Sequence, residues 1–188
     1  MTDAQWIFGY GSLVDPSSFG ATIGRALRPG VDFFEAELAG YGRRWNYGVM
    51  HVSATGPGPD GTVIEYTLTA LGLERAPKET VNGVVGRVER EELASLDARE
   101  RHYERVDVTD QVTVHGADES IGPIGVYFPL PEAVAHYVRA RDAGRAAIDQ
   151  RYWDLVDDAF ARFGHDALLR YRTTTPPPDV PVMPLSRR

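Results

Sequence analysis

Cysteine is absent from this chain, and lysine occurs once, at Lys78, although lysine and arginine together number 20. Without cysteine there is no disulfide, no thiolate metal ligand and no thiol nucleophile. The expected setting is a reducing, cytoplasmic one. No apolar run reaches the roughly 18 residues of a membrane span. The first residues have neither the basic segment nor the apolar stretch of a secretory leader. Dense positive charge is missing too: the net charge is −7 and the arginines are dispersed. Nucleic acid is therefore not an expected partner, since phosphate contacts need a cationic surface. The histidines His51, His102, His115, His136 and His165 show neither His-x-His nor His-Glu-x-x-His spacing, so no metal site is expected.

What is present is an ordinary globular composition, 43% hydrophobic and 25% charged over 188 residues, enough for one well-buried domain. Residues 1–172 read as that domain, and the proline-rich residues 173–188 as an extended or mobile tail that cannot continue a helix. Trp6–Tyr10 is a short apolar run that suits a buried strand. Asp15 followed by Pro16 marks the start of a short helix. Aromatic and alternating patterns over 31–49, 63–71, 81–88, 103–116 and 124–131 predict strands, with 53–62 a loop of turn-forming residues. Residues 89–100 predict a helix with acidic residues in its first turn. From Pro131 onward the period is helical, with Ile148, Tyr152, Leu155, Val156, Ala159, Phe160 and Phe163 on one face and Gly164 as its stop. Strands followed by helices argue for an α+β fold.

The stretch Trp6–Leu13, "WIFGYGSL", asks for a chemical reading. A dinucleotide loop needs a third glycine where Val14 stands, and a P-loop needs Gly-Lys-Ser/Thr. A nucleophile elbow needs glycines two residues either side of Ser12, where Tyr10 and Val14 stand instead. Two readings remain open. Either Gly9 and Gly11 are turn punctuation alone, or the Tyr10-Gly11-Ser12-Leu13 turn bares backbone amides that a carboxylate can reach.

A second feature is "LASLDARE". Leu93, Leu96 and Glu100 fall on one helix face, so a carboxyl joins the apolar stripe. Glu100 is either half-exposed and paired with Arg99, Arg101 or Arg105, or buried. Burial, with the helix C-terminus close by, would raise its pKa toward that of a proton shuttle. Arg43 and Arg44 suit either a substrate carboxylate or surface ion pairs, and Tyr127 suits either a barrel mouth or the core. The aromatic residues of the C-terminal helix read as core.

Together, "WIFGYGSL" and, about seventy residues later, "NGVVGRV…LASLDARE" resemble the γ-glutamylcyclotransferase-like superfamily in order and separation. "AGYGRRWNYG" is similar to that family's arginine-rich strand. The resemblance implies a small mixed β-barrel with flanking helices. It implies a γ-glutamyl-binding loop at Ile7, Phe8, Gly9, Tyr10, Gly11, Ser12 and Leu13, a catalytic Glu100, and Tyr103 as a further binding residue. It further implies conversion of a γ-glutamyl small molecule to 5-oxoproline plus a free amine or amino acid, with no cofactor and no metal. Two other functions stay open on the same scaffold: a non-catalytic binding module, and an enzyme that removes a γ-glutamyl protecting group from a biosynthetic intermediate.

Overall fold

A computed structural model describes residues 4–117 and 121–187. The first strand, β1 (Gln5–Gly9), lies between two others, antiparallel to β3 (Val63–Val88) and parallel to β6 (Ile124–Pro129). Being covered on both sides, it has no polar alternation: Ile7 and Phe8 are fully buried. A single 3-10 turn, Ser12–Val14, follows it, and then α1 (Pro16–Ile23). The Asp15 carboxylate caps α1 by accepting the Ser18 N–H at 2.7 Å, with Pro16 in the first turn where its missing N–H costs nothing.

The strand β2 (Phe33–Pro57) and β3 form one long hairpin. Here the structure differs from the sequence pattern. The segment read as a loop at 53–62 narrows to a turn, because Ser53–Pro57 pair with Val63–Thr67. The strands expected at 63–71 and 81–88 are one strand. The intervening Pro77 falls where the ladder jumps from Ala39 opposite Thr80 to Tyr41 opposite Arg75, so an irregularity absorbs a residue that a regular ladder would reject.

The remaining elements are α2 (Arg90–Arg99), β4 (Tyr103–Asp107), a 3-10 turn Thr109–Gln111, β5 (Val112–Val114), α3 (Pro131–Asp142), β7 (Ala146–Asp149), α4 (Gln150–Ala161), α5 (His165–Thr174), β8 (Val182–Met183) and β9 (Ser186–Arg187). The mixed sheet runs in the order β4-β6-β1-β3-β2-β5, with β7 on β3, β8 on β7 and β9 on β2. Among the described residues no ladder joins β4 to β5, so the sheet curls without sealing. Five α-helices flank it among the described residues, and the class is α+β.

Two further expectations are corrected. Ile148 belongs to β7 and not to a helix, because a four-residue fully buried run pairs in parallel with β3 before α4 begins. The segment 173–188 is not wholly non-helical in the part described: α5 runs to Thr174, and β8 and β9 pair with β7 and β2. Thr175, Val180 and Leu185 are buried. Arg188, the last residue of that expected tail, lies outside the described residues. One large core gathers β1, α1, α2, β6 and the inner half of the hairpin, while Ala54, Tyr66, Leu68, Ala147 and Leu185 make a smaller one at its outer half. No helix among the described residues is long and apolar enough to cross a membrane.

Candidate active site

The carboxyl end of β1 runs straight into the Tyr10-Gly11-Ser12 turn. Gly9 is needed for that bend, since a Cβ there would lie 2.9 Å from the Leu13 Cβ. Val14 N–H donates to the Gly11 carbonyl and Asp15 N–H to that of Ser12, at 2.9 and 3.3 Å, which closes the turn. The amides of Gly11, Ser12 and Leu13 precede those donors and make no backbone hydrogen bond among the described residues.

Opposite the turn stands the end of α2. The helix begins with a reciprocal capping box between Glu89 and Glu92 and buries Leu93 and Leu96. Glu100 is its C-terminal cap. The Glu100 N–H donates to the Leu96 carbonyl and the Tyr103 N–H donates to the Glu100 carbonyl, each at 2.8 Å, so the backbone of the acid is held on both sides. The Glu100 side chain is 14% exposed and 3.2 Å from the Arg99 Nε. Burial raises its pKa above the ordinary value, and the Arg99 charge opposes that without cancelling it.

Glu100 and the turn share one small cavity of about 40 Å³. Phe8, Gly9, Tyr10, Gly11, Ser12, Leu13 and Tyr103 line it with Glu100. Of the residues expected from sequence only Ile7 is left out. It is fully buried, and strand alternation turns it to the face opposite Phe8.

Five phenols surround the acid, those of Tyr10, Tyr47, Tyr103, Tyr127 and Tyr152. Tyr10 is buried and its hydroxyl donates to the Tyr127 carbonyl at 2.8 Å. The Tyr103 hydroxyl donates to the Leu71 carbonyl at 3.4 Å, and its ring stacks on Tyr47 with centroids 4.3 Å apart. The Leu71 N–H donates to the Tyr152 hydroxyl at 3.4 Å. That contact spends a lone pair of Tyr152 and leaves its proton free to donate. Burial, reinforced by the charge of Glu100, pushes the pKa of Tyr10 and Tyr103 well up. Burial likewise pushes Tyr47 and Tyr152 up to about 12. At neutral pH these phenols are uncharged hydrogen-bond donors. Ser12 Oγ accepts from Arg99 Nη2 at 2.8 Å, and a guanidinium cannot take its proton, so this serine lacks the base a nucleophile needs. Among the described residues no group of three or more His, Asp or Glu is placed to hold a metal.

No protein-family model matches the chain. In sequence it is 28% identical over 135 residues to Gamma-glutamylcyclotransferase 2-3 of Arabidopsis thaliana, a match spanning 69% of this chain and 59% of the plant protein. In structure it is similar to a γ-glutamyl cyclotransferase, with a TM-score of 0.54 and 16% identity over 94% of this chain and 90% of that one. An uncharacterized human protein gives 0.55 and 17% over 94% and 90%. A yeast γ-glutamyl cyclotransferase specific to glutathione gives 0.54 and 15% over 91% and 95%. The fold is γ-glutamylcyclotransferase-like.

Within this γ-glutamylcyclotransferase-like frame, the sequence pattern leaves several lining residues unseen. Tyr152, expected as core because it lies on an apolar helical stripe, instead reaches the cavity: a Cβ on Gly11 would meet its hydroxyl at 3.0 Å. Tyr127 is buried as core residues are, yet it lines the cavity and its hydroxyl donates to Asp97 at 2.7 Å. Arg99 joins both halves of the site, touching Glu100, Ser12 and, through Nη1, Thr22 of α1. Neither Arg43 nor Arg44 lines the cavity. Arg44 is bridged to Glu74 and Glu79, each at 2.7 Å. Arg43 is fully buried beside Phe160 and Tyr171. That no carboxylate pairs with it among the described residues has no signature in a local sequence window.

Proposed function

We propose that the protein is a γ-glutamylcyclotransferase-type enzyme that converts a γ-glutamyl amide or peptide to 5-oxoproline and a free amine or amino acid. The observation that carries this is one carboxyl, buried and raised in pKa, sharing a small cavity with the glycine turn and its unspent amides. In this reaction the α-amine attacks the γ-carbonyl of its own molecule. A C–N bond forms inside the new ring and the γ C–N bond breaks, with no water, oxidant or second substrate consumed. The enzyme supplies a folded, cyclisation-ready conformation and a path for one proton.

On this reading Glu100 takes the proton from the attacking amine and returns one to the leaving nitrogen. A raised pKa suits both halves of that task, because a strongly acidic carboxylate would be a poor base. The amides of Gly11 and Ser12 hold glutamyl oxygens, and neutral phenols such as Tyr152 stabilise charge developing on the carbonyl oxygen. Binding is expected in the cytoplasm, from a small-molecule substrate alone. The test is incubation with γ-glutamyl-alanine, glutathione and a γ-glutamyl diamine, with 5-oxoproline measured chromatographically. Product from at least one, abolished in Glu100→Gln, is the expected result. Formation of none would leave the scaffold a binding module.

A further inference from the structure

A second cavity, of about 310 Å³, adjoins the first. Ser12 and Tyr152 line both, so the Ser12 turn and the head of α4 form a shared wall. Thr69, a residue of β3 that is 2% exposed and two positions before Leu71 of the first cavity, also lines the space. Its Oγ1 is buried and has no hydrogen-bond partner among the described residues. A buried hydroxyl left without a partner costs about 1–3 kcal/mol, so an unpaired one lining a cavity points to a polar group supplied from outside.

The charges are equally one-sided. Two arginines line this cavity, Arg99 at the shared wall and Arg187 brought in by β9, and among the described residues no aspartate or glutamate does. That is notable in a chain with 27 acidic and 20 basic residues. The Arg187 side chain is 59% exposed, and its nearest carboxylate, Asp149, is 3.7 Å away and shared with Arg151. It therefore has capacity for another anion. Val49, Leu68 and Leu155 complete the lining with apolar surface.

We propose that this second cavity seats the leaving group, and that it selects an amino-acid- or peptide-like leaving group ending in a carboxylate over an amine that carries further positive charge. The inference rests on the cyclotransferase reading above and adds a site to it. Thr69 hydrogen-bonds the amide or amino group next to the scissile bond, Leu68 and Leu155 pack against a side chain, and Arg187 supplies the cation for the carboxylate. A cationic tail would meet two arginines in the lining and no lining acid to pair with.

The experiment uses the full-length protein with γ-glutamyl-alanine and γ-glutamyl-cadaverine as probes. The wild type is expected to show kcat/KM about tenfold or more higher for γ-glutamyl-alanine. Thr69→Val, nearly the same shape, is expected to raise KM for γ-glutamyl-alanine about tenfold while kcat changes much less, with no loss of melting temperature because an unpaired buried hydroxyl is removed. Arg187→Ala is expected to narrow the preference between the two probes. Equal kcat/KM for the two probes in the wild type, or an unchanged KM in Thr69→Val, overturns the assignment. If neither probe nor any other γ-glutamyl compound turns over, the cyclotransferase reading fails on its own. The cavity is then read by calorimetric titration of γ-glutamyl-alanine: binding weakened about tenfold in Thr69→Val supports the site, and equal affinity or no binding overturns it.

Discussion

Two buried charges in this molecule live under opposite rules. Glu100 sits at the wall of an open cavity with one arginine beside it, and desolvation pushes it toward its neutral form. Arg43 is sealed where α4 and α5 meet the sheet. Its Nη1 donates to Thr175 Oγ1 at 3.1 Å, its Nη2 donates to the Asn82 carbonyl, and no carboxylate pairs with it among the described residues. Its guanidinium carbon lies 4.9 Å from the Phe160 ring centroid and 5.1 Å from that of Tyr171. Burial lowers its pKa to about 10, which still leaves it charged at neutral pH. Burial thus gives a group able to exchange a proton in one place and a fixed cation in the other. The difference lies in the intrinsic proton affinity of each group and in its access to a ligand.

The sharpest way to break this contrast is Glu100→Gln. Oxoproline formation is expected to fall on the order of a thousandfold with the fold intact. Near-normal turnover would remove Glu100 from the mechanism. At Arg43 the effect should be on stability. Arg43→Ala is expected to cost about 3 kcal/mol in urea unfolding, through lost packing and orphaned partners. Arg43→Met, which fills the space without a charge, should lie within about 1 kcal/mol of the wild type. If methionine is as damaging as alanine, the charge itself matters.

A smaller effect is expected at the turn. The new Cβ of Gly11→Ala would press on the Tyr152 hydroxyl, raising KM roughly tenfold with a stability change below about 1 kcal/mol. Adding Tyr152→Phe should relieve the crowding and recover part of the binding. A double variant no better than the single one would show that the crowding lies elsewhere.

The smallest effect concerns pH. The folded-state pKa of Glu100 is raised, so the native protein holds this proton more tightly than the unfolded chain does, and the wild type must lose stability as pH rises from the unfolded value near 4.5 through the folded one. Glu100→Gln has no such loss. Its melting temperature relative to the wild type should therefore climb across that window and then level off. A relative advantage that grows as pH falls would contradict the burial of the acid.

Much of this was legible in the sequence where local chemistry and tertiary role coincide. Asp15 and Pro16 start a helix wherever they stand together, and Trp6–Phe8 has the uniform apolar character of a strand covered on both sides. Leu93, Leu96 and Glu100 put the acid on a buried face, and the glycines of the turn told against three phosphate or nucleophile loops. What was not legible depends on neighbours distant in the chain. The helical period marks Tyr152 as facing inward but not that a cavity lies there. The adjacent Arg43 and Arg44 look alike in sequence, yet the strand turns one toward α4 and α5 and the other toward Glu74 and Glu79. Residues 63–71 and 81–88 read as two strands because the register jump that accommodates Pro77 belongs to both strands of the hairpin.

The position of Glu100 is inherited from the opposite end of α2. Arg25 grips Glu92 in the first turn at 2.7 Å and the Arg87 carbonyl at the same distance, while Glu92 also accepts the Glu89 N–H. This cluster fixes the first turn of α2, and the helix carries that constraint to the acid at its other end. Warming should therefore erode turnover several degrees below the cooperative melt, and Arg25→Ala, which touches nothing in the cavity, should bring that early decline to a lower temperature.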